Sequence, residues 1–258
     1  MIVLDKIDLN NIDIDDIKSI AKKAGEATLE IYNKDFSIEY KDDKSPLTEA
    51  DKKSNEIICN SLEKLYPNIP ILSEENKEIS YEDRKDWEYY WCIDPIDGTK
   101  EFIKKNGEFT INIALIHKNE PILGVVYAPV LNDMYSAKRE EGAYKNGEKL
   151  PLKTNKNISE KIFVVASKSH LSKETQEFID SLDSKEIEQV SKGSSLKLCM
   201  VAEGEADIYP RLAPTMEWDT AAADAVVRES GKMTYEFDSM IPLVYNKENL
   251  LNPWFVVK

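Results

Sequence analysis

A metal ion and a phosphate group can be held at one turn when acids follow an apolar strand and a glycine follows the acids. The segment Trp91-Cys92-Ile93-Asp94-Pro95-Ile96-Asp97-Gly98-Thr99 has that order. The strand is expected to end at Asp94, Pro95 to force a turn, and Gly98 to let the backbone approach a ligand closely. A helix beginning near Thr99 or Lys100 would aim the amides of Gly98 and Thr99 at an anion. Two further acids fall at similar places. Ile69 to Leu72 reads as a strand ending in Ser73-Glu74-Glu75, and Asp219 follows Trp218 at the start of a helix. Taken singly, each has an ordinary reading as well. Asp-x-x-Asp-Gly is also a polar turn, and Asp219 is also a helix N-cap. Asp51, three residues after Thr48, is also a capping acid.

Covalent routes to phosphate transfer find no support. The two histidines, His117 and His170, lie in no Arg-His-Gly or His-x-His pattern, and His117 reads as structural. No cysteine begins a Cys-x5-Arg loop, and Asp94 does not open the Asp-x-Asp-x-Thr run of a phosphoaspartate enzyme. A covalent phosphoenzyme is therefore not expected.

The elements that must position these acids follow from periodicity. Asp15 to Tyr32 places Ile17, Ile20, Ala21, Ala24, Ala27 and Ile31 on one helical face. Phe36, Ile38 and Tyr40 alternate as a strand does, and Thr48 starts a second helix carrying Ile57, Ile58, Leu62 and Leu65. Strands are expected at 69–72, 89–93, 109–116, 121–128 and 134–138, with a hairpin turn at Asn146-Gly147. The acidic segment 76–86 reads as a solvated loop. Beyond residue 150 strand and helix alternate: strand 162–166, helix 173–182, strand 187–190, helix 194–203, strand 206–209 and helix 218–230, closed by Gly231. The expected division is an α+β half, 1–149, carrying most of the acids, and an α/β half, 150–258, carrying Asp219.

Bulk properties narrow the partners. Of 258 residues, 41% are hydrophobic and 32% charged, as in a folded globular chain. The formal net charge of −14 argues against a nucleic-acid polymer or an anionic membrane as partner. An anionic substrate would then need metal ions or clustered Lys and Arg to reverse the field locally. Cys59, Cys92 and Cys199 form no CxxC pair and leave one over, so a disulfide framework is not expected. The first twenty residues lack the form of a signal peptide and no run approaches a membrane span, so a cytoplasmic protein is expected.

Read together, SPLTEADKKS, ILSEEN, WCIDPIDGTKEF and EWDTAAADAV resemble the inositol monophosphatase superfamily. DGTKEFIKKNGEFTINIAL, ASKSH and GSSLKLCMVAEGEADIYPR are similar to its CysQ branch, the 3'(2'),5'-bisphosphate nucleotidases. The resemblance runs from about Ser45 to Gly231. It implies a mixed α+β and α/β fold, a layered αβαβα sandwich. It also implies two Mg²⁺ ions, or three: Glu74, Asp94 and the carbonyl of Ile96 hold one, and Asp94, Asp97 and Asp219 hold a second. Glu75 is then solvated or in an outer shell. Asp51 and Thr99 orient the attacking water, with Glu74 also in the catalytic set, and attack is direct and in line. Inhibition by lithium is implied too. Four crowded carboxylates repel one another and resist ionisation unless cations are present, which agrees with this ligand set. Ala223 stands where many relatives have Gly, which bears on helix approach and leaves Asp219 intact.

For the substrate, the resemblance implies 3'-phosphoadenosine 5'-phosphate cleaved to AMP and phosphate, with 3'-phosphoadenylyl sulfate as a second candidate. Glu74, Ile96, Asp97, Gly98, Thr99 and Asp219 would meet the scissile phosphate. Lys168, His170, Ser194 and Lys197 would meet the rest of the nucleotide. A basic rim is expected from Lys100, Lys104, Lys105, Lys192 and Arg211, with Glu101 and Ser195 among them. Inositol monophosphatase activity is the alternative within the same chemistry, and a non-catalytic metal- or nucleotide-sensing protein is the alternative outside it. A monomer or homodimer is expected.

Overall fold

The computed structural model describes residues 11–40, 46–76, 79–154, 158–166 and 172–258. Helix α1 (Ile14–Tyr32) is followed by β1 (Ile38–Tyr40), β2 (Pro46–Thr48) and α2 (Glu49–Leu65), then β3 (Ile71–Ser73), the short α3 (Tyr81–Arg84), β4 (Tyr89–Asp97) and α4 (Thr99–Ile103). Strands β5 (Thr110–His117), β6 (Glu120–Ala128), β7 (Asp133–Lys138), β8 (Gly142–Lys145) and β9 (Glu148–Lys149) complete a seven-stranded sheet ordered β3-β4-β5-β6-β7-β8-β9. The remainder is β10 (Lys161–Val165), α5 (Lys173–Asp180), β11 (Glu186–Val190), α6 (Leu196–Glu203), β12 (Tyr209–Arg211), α7 (Glu217–Glu229), β13 (Thr234–Glu236) and β14 (Phe255–Val257).

The alternation of apolar residues along β5 and β6 sends side chains to two different cores. Ile111, Ile113 and Leu115 pack with Ile17, Ile20 and Ala24 of α1 and with Ile58 and Leu62 of α2. Ala114 and Ile116 face the other way, against Cys199 and Val201 of α6 and Ala222 and Val226 of α7. Beyond those helices lies a second β layer. The parallel pair β10-β11 is bridged through Val164 and Ile208 to the antiparallel set β12-β14-β13, and Ile179 of α5 closes that face with Val164 and Val256. The layers are thus α1 and α2, the large sheet, α6 and α7, the smaller sheet, and α5: an αβαβα sandwich.

Several local expectations meet corrections. Segment 76–86 is not simply a solvated loop. It contains α3, whose Arg84 is only 2% exposed and donates to Asn246 Oδ1 at 2.8 Å and to the carbonyl of Glu248 at 3.0 Å. The first strand, β1, is exposed along its length, with Tyr40 on the surface. Leu65, placed on the buried face of α2 by periodicity, is exposed at the helix end. Asn146 and Gly147 both take positive φ, at 51° and 88°, which is the hairpin geometry their sequence predicts between β8 and β9. The thiols of Cys59, Cys92 and Cys199 are free and buried. Among the described residues, no helix is long and apolar enough to cross a membrane.

The approach of α7 to the large sheet depends on Gly124 of β6. A Cβ there would stand 2.2 Å from the carbonyl oxygen of Ala222 and 2.7 Å from Cβ of Ala225. Close approach is thus granted from the sheet side, and Ala223 is accommodated in the core without exposure. Gly124→Ala is expected to destabilise the fold by about 1–3 kcal/mol through overpacking, read as a lower urea midpoint at unchanged m-value.

Candidate active site

The Asp94 segment is a bulged strand rather than a strand ended by a turn. β4 continues through Pro95 to Asp97, and its pairing with β5 shifts register between Asp94, opposite Asn112, and Asp97, opposite Thr110. Pro95 has no N–H to give, and a bulge is where a central strand tolerates that loss. The bulge also resolves a problem of parity. Residues i and i+3 of a regular strand face opposite sides, and one extra residue puts Asp94 and Asp97 on the same side. Helix α2 braces the bulge from below, with Ser54 Oγ donating to the Pro95 carbonyl at 2.7 Å. After the bulge, Gly98 at φ 92° begins the five-residue helix α4.

Asp219 arrives from the first turn of α7. One oxygen each of Asp94, Asp97 and Asp219 lies within 4.8 Å of the others. Glu74, in the 3₁₀ turn Glu74–Asn76 after β3, lines the same 270 Å³ cavity as these three and Ile96. Burial is the main cause that pushes the Asp94 carboxyl well above the usual carboxylate range, and the charges of Glu74, Asp97, Asp219 and Asp51 add to it. Asp97 is raised to about 6, chiefly by burial, against the lowering effects of Lys197 and of a hydrogen bond from the Ser195 N–H at 2.5 Å. Asp219 is raised to about 8 by burial and then by Asp97, although Met216 N–H donates to its Oδ2 at 2.8 Å. Such a cluster holds protons until a cation replaces them. Its donors are all oxygens and partly buried, which suits Mg²⁺ better than a softer metal. The residues fit a divalent cation.

Asp51 has two duties. Its Oδ2 accepts from the N–H and hydroxyl of Thr48 at 2.8 and 2.7 Å, which caps α2, while Oδ1 accepts from the Thr99 hydroxyl at 3.1 Å. Burial raises its carboxyl, and these hydrogen bonds work against the rise. The Thr99 hydroxyl is also 3.4 Å from the Ile96 carbonyl, so Asp51, Thr99 and Ile96 meet at the edge of the acid cluster. Glu75 follows in the same 3₁₀ turn, outside the lining of that cavity.

A second cavity of about 240 Å³ adjoins the first and shares Asp97, Gly98, Lys100, Glu101 and Asp219 with it. Its far wall carries Lys104, Lys192, Lys197, Arg211 and Ser194. Burial lowers the Lys197 ammonium and Asp97 raises it again, and its Nζ donates to the Ser194 carbonyl at 2.7 Å. Ser194 Oγ and Arg211 Nε are buried with no hydrogen-bond partner, two polar atoms ready for a ligand. The expected basic rim is therefore only part of the wall. Glu101 and Glu108 line it too, and Lys192 stands 3.6 Å from Glu108. Lys105 turns away, its Nζ donating to the Lys34 carbonyl at 3.3 Å and lying over the Phe36 ring. Lys168 and His170 lie outside the described residues. His117 stacks on Tyr89 at 4.4 Å, at the opposite end of β5 from the residues that pair with Asp94 and Asp97.

Sequence reasoning missed the support beneath Asp97. Ser195 Oγ lies 2.9 Å from Thr110 Oγ1 and 3.0 Å from Asn112 Oδ1, so β5 locks the residue whose amide holds Asp97. The signal was present as two polar residues, Thr110 and Asn112, on one face of an otherwise apolar central strand.

The family model for inositol monophosphatases matches residues 9–253. The chain is 44% identical over 247 residues to the 3'(2'),5'-bisphosphate nucleotidase CysQ of Escherichia coli (strain K12), covering 95% of this chain and 98% of that protein. It is 40% identical over 259 residues to the protein of the same name from Haemophilus influenzae, covering 96% and 93%. The crystal structure of CysQ from Bacteroides thetaiotaomicron, titled a bacterial member of the inositol monophosphatase family, aligns with a TM-score of 0.86 at 42% identity over 98% of each chain. With a bulged Asp-Pro-Ile-Asp strand, a clustered helix aspartate and agreement along nearly its whole length, the chain belongs to the inositol monophosphatase family.

Proposed function

We propose that this chain is a magnesium-dependent 3'(2'),5'-bisphosphate nucleotidase that converts 3'-phosphoadenosine 5'-phosphate to AMP and phosphate. The observation that carries the reading is the meeting of Asp94, Asp97 and Asp219 beside a cavity walled by Lys197 and Arg211. The acid cluster suits a metal-assisted phosphoryl transfer, and the cationic wall suits a second anionic group on the same substrate. The close similarity to proteins named as CysQ nucleotidases supports the same choice.

Glu74, Asp94, the Ile96 carbonyl, Asp97 and Asp219 would hold two Mg²⁺ ions, which supply Lewis acidity to acidify water and offset charge on the phosphoryl group. The chain's own residues do the rest. Thr99, donating its hydroxyl proton to Asp51, keeps the lone pairs of Oγ1 available to accept from a water and so orients it. As the water attacks, one of its protons passes to Thr99 Oγ1 while the Thr99 hydroxyl proton passes to ionised Asp51, which leaves Thr99 neutral and Asp51 protonated. The amides of Gly98 and Thr99 stand at the turn where phosphoryl oxygens would sit. Ser194, Lys197 and Arg211 bind the rest of the nucleotide, and Glu101 and Glu108 keep Lys192 and its neighbours from forming an unselective anion trap. In this reading residues 1–149 bring the water, the turn and most of the acids, and residues 150–258 bring Asp219 and the nucleotide wall.

Phosphate release from 3'-phosphoadenosine 5'-phosphate, inositol monophosphate and a sugar phosphate, each with and without Mg²⁺, tests the assignment. Preference for the bisphosphate, abolished by chelation, is expected; preference for inositol monophosphate would overturn the nucleotide reading, and ligand binding with no release would overturn the enzyme reading. Thr99→Ala is expected to lower kcat by about 10²-fold with little change in KM, because it removes orientation and not binding. Thr99→Ser, which keeps the hydroxyl, is expected to retain most of the rate.

A further inference from the structure

The first turn of α7 carries Asp219 yet begins at a residue poor for the purpose. Helices start well on Ser, Thr, Asp or Asn, whose oxygen accepts from the exposed amides of the first turn. Met216 occupies that position and offers no oxygen. Asp219 partly compensates by accepting from Met216 N–H through Oδ2, in a carboxylate that also brings an oxygen within 4.8 Å of oxygens of Asp94 and Asp97. The aim of that oxygen therefore depends on what holds Met216.

The hold comes from segment 244–252. Leu251 bridges Met216, the Glu217 N–H donates to the Leu250 carbonyl at 3.0 Å, and the Asn252 N–H donates to the Thr215 carbonyl at 2.8 Å. The Asn252 side-chain amide donates to the Met216 carbonyl at 2.8 Å and reaches Thr220 Oγ1 at 3.1 Å. Glu217 is the centre of the arrangement. Its carboxylate is wholly buried and accepts from Asn246 N–H at 2.7 Å, Lys247 N–H at 3.0 Å and Lys247 Nζ at 2.6 Å. Lys247 Nζ then donates to the Val244 carbonyl at 2.9 Å and approaches Asn252 Oδ1 at 3.3 Å. Burying a carboxylate so completely is unfavourable unless it is paired and hydrogen-bonded, and these partners satisfy it only while segment 244–252 wraps the helix start.

We infer that Glu217, Lys247 and Asn252 are positioning residues for Asp219, a buckle that fixes the start of α7 so that one aspartate oxygen is preset toward the cation cluster. The inference rests on reading Asp219 as a metal ligand. Removing groups that orient a ligand typically weakens metal binding by 10–100-fold, with the ligand itself intact. Glu217→Gln keeps the shape and an acceptor for only one of the two backbone amides, which now use different carboxylate oxygens, and removes the ion pair with Lys247.

The test is calorimetric titration of Mn²⁺ into metal-free wild type, Glu217→Gln, Asp219→Asn and the double variant, with thermal midpoints recorded alongside. Mn²⁺ affinity is expected to fall by about 10–100-fold in Glu217→Gln. The same change in the Asp219→Asn background is expected to have an effect below about 2-fold, because the two act through one group. Phosphate release by Glu217→Gln is expected to recover at raised Mg²⁺. An equal loss of affinity in both backgrounds, or a lowered midpoint with unchanged affinity, would overturn the positioning role. Failure of the wild type to bind Mn²⁺ would instead overturn the metal reading of Asp219 and this inference with it. Should Glu217→Gln not fold, Asn252→Ala, which leaves the Glu217–Lys247 ion pair in place, is read by the same criteria.

Discussion

Asp94→Asn is expected to lower kcat/KM for phosphate release by on the order of 10³-fold or more while leaving the fold intact, since a Lewis acid is worth several kcal/mol to such a transition state. The substitution is nearly isosteric at a position only 1% exposed. An asparagine oxygen can still accept from the Ile96 N–H, the bond that Asp94 Oδ1 now makes at 3.1 Å. What disappears is a charge at the centre of the cluster. Asp94 feels Glu74, Asp97, Asp219 and Asp51 together, so its neutralisation relieves repulsion in the metal-free protein as it removes the proposed shared ligand. The two effects separate in measurement. Metal-free Asp94→Asn should melt no lower than metal-free wild type at pH 8, yet respond far less to Mg²⁺. A variant that keeps wild-type turnover would sink the role given to the cluster.

The second large effect is a pH dependence of stability that appears only without metal. Burial raises Asp94, Asp97 and Asp219 above the ordinary carboxylate value, with Asp97 at about 6 and Asp219 at about 8. Between pH 4 and 8 the folded state therefore binds more protons than the unfolded chain. Stability contributed by these groups is complete below about pH 4 and is lost as pH rises through the folded values. The metal-free midpoint is expected to fall by roughly 10–20 °C between pH 5 and 8, allowing about 2–4 °C per kcal/mol. Mg²⁺ at a hundredfold excess over its dissociation constant restores about 2.7 kcal/mol. Its stabilising shift should thus be larger at pH 8 than at pH 5, where protons compete for the same oxygens. Melting curves at both pH values, with chelator and with Mg²⁺, measure it, and Asp94→Asn combined with Asp219→Asn should flatten the difference. A metal-free protein that grows more stable toward pH 8 contradicts the account.

Much of this arrangement could be read from sequence where local rules suffice. The apolar periodicity of α1 and of β4 to β7 located the layers, Thr48 and Asp51 located the start of α2, and Asn146-Gly147 located a hairpin. What escaped was set by pairing between distant segments. Pro95 reads as a strand breaker, but its neighbour β5 absorbs it as a bulge, and no local pattern announces that choice. Arg84 sits in an acidic, solvated-looking stretch, but Asn246, its partner, is 162 residues away. Lys105 looks like its neighbours in sequence, and only the end of α4 turns it from the cavity toward Phe36. Glu217, beside the Trp-Asp pair, has no pattern that announces its partners, which lie in segment 244–252.

The smaller sheet adds a matter of timing. β14 is last in chain order but lies in the middle of its set, between β12 and β13. A nascent chain that has emerged only through α7 already carries every acid of the cluster. It still lacks the strand that completes the pairing of Arg211, whose partner is Phe255, and the segment that wraps the start of α7. During synthesis, then, the acids proposed as cation ligands exist as a list before they exist as a place, and on that proposal tight metal capture is expected only once β14 and segment 244–252 have joined the fold.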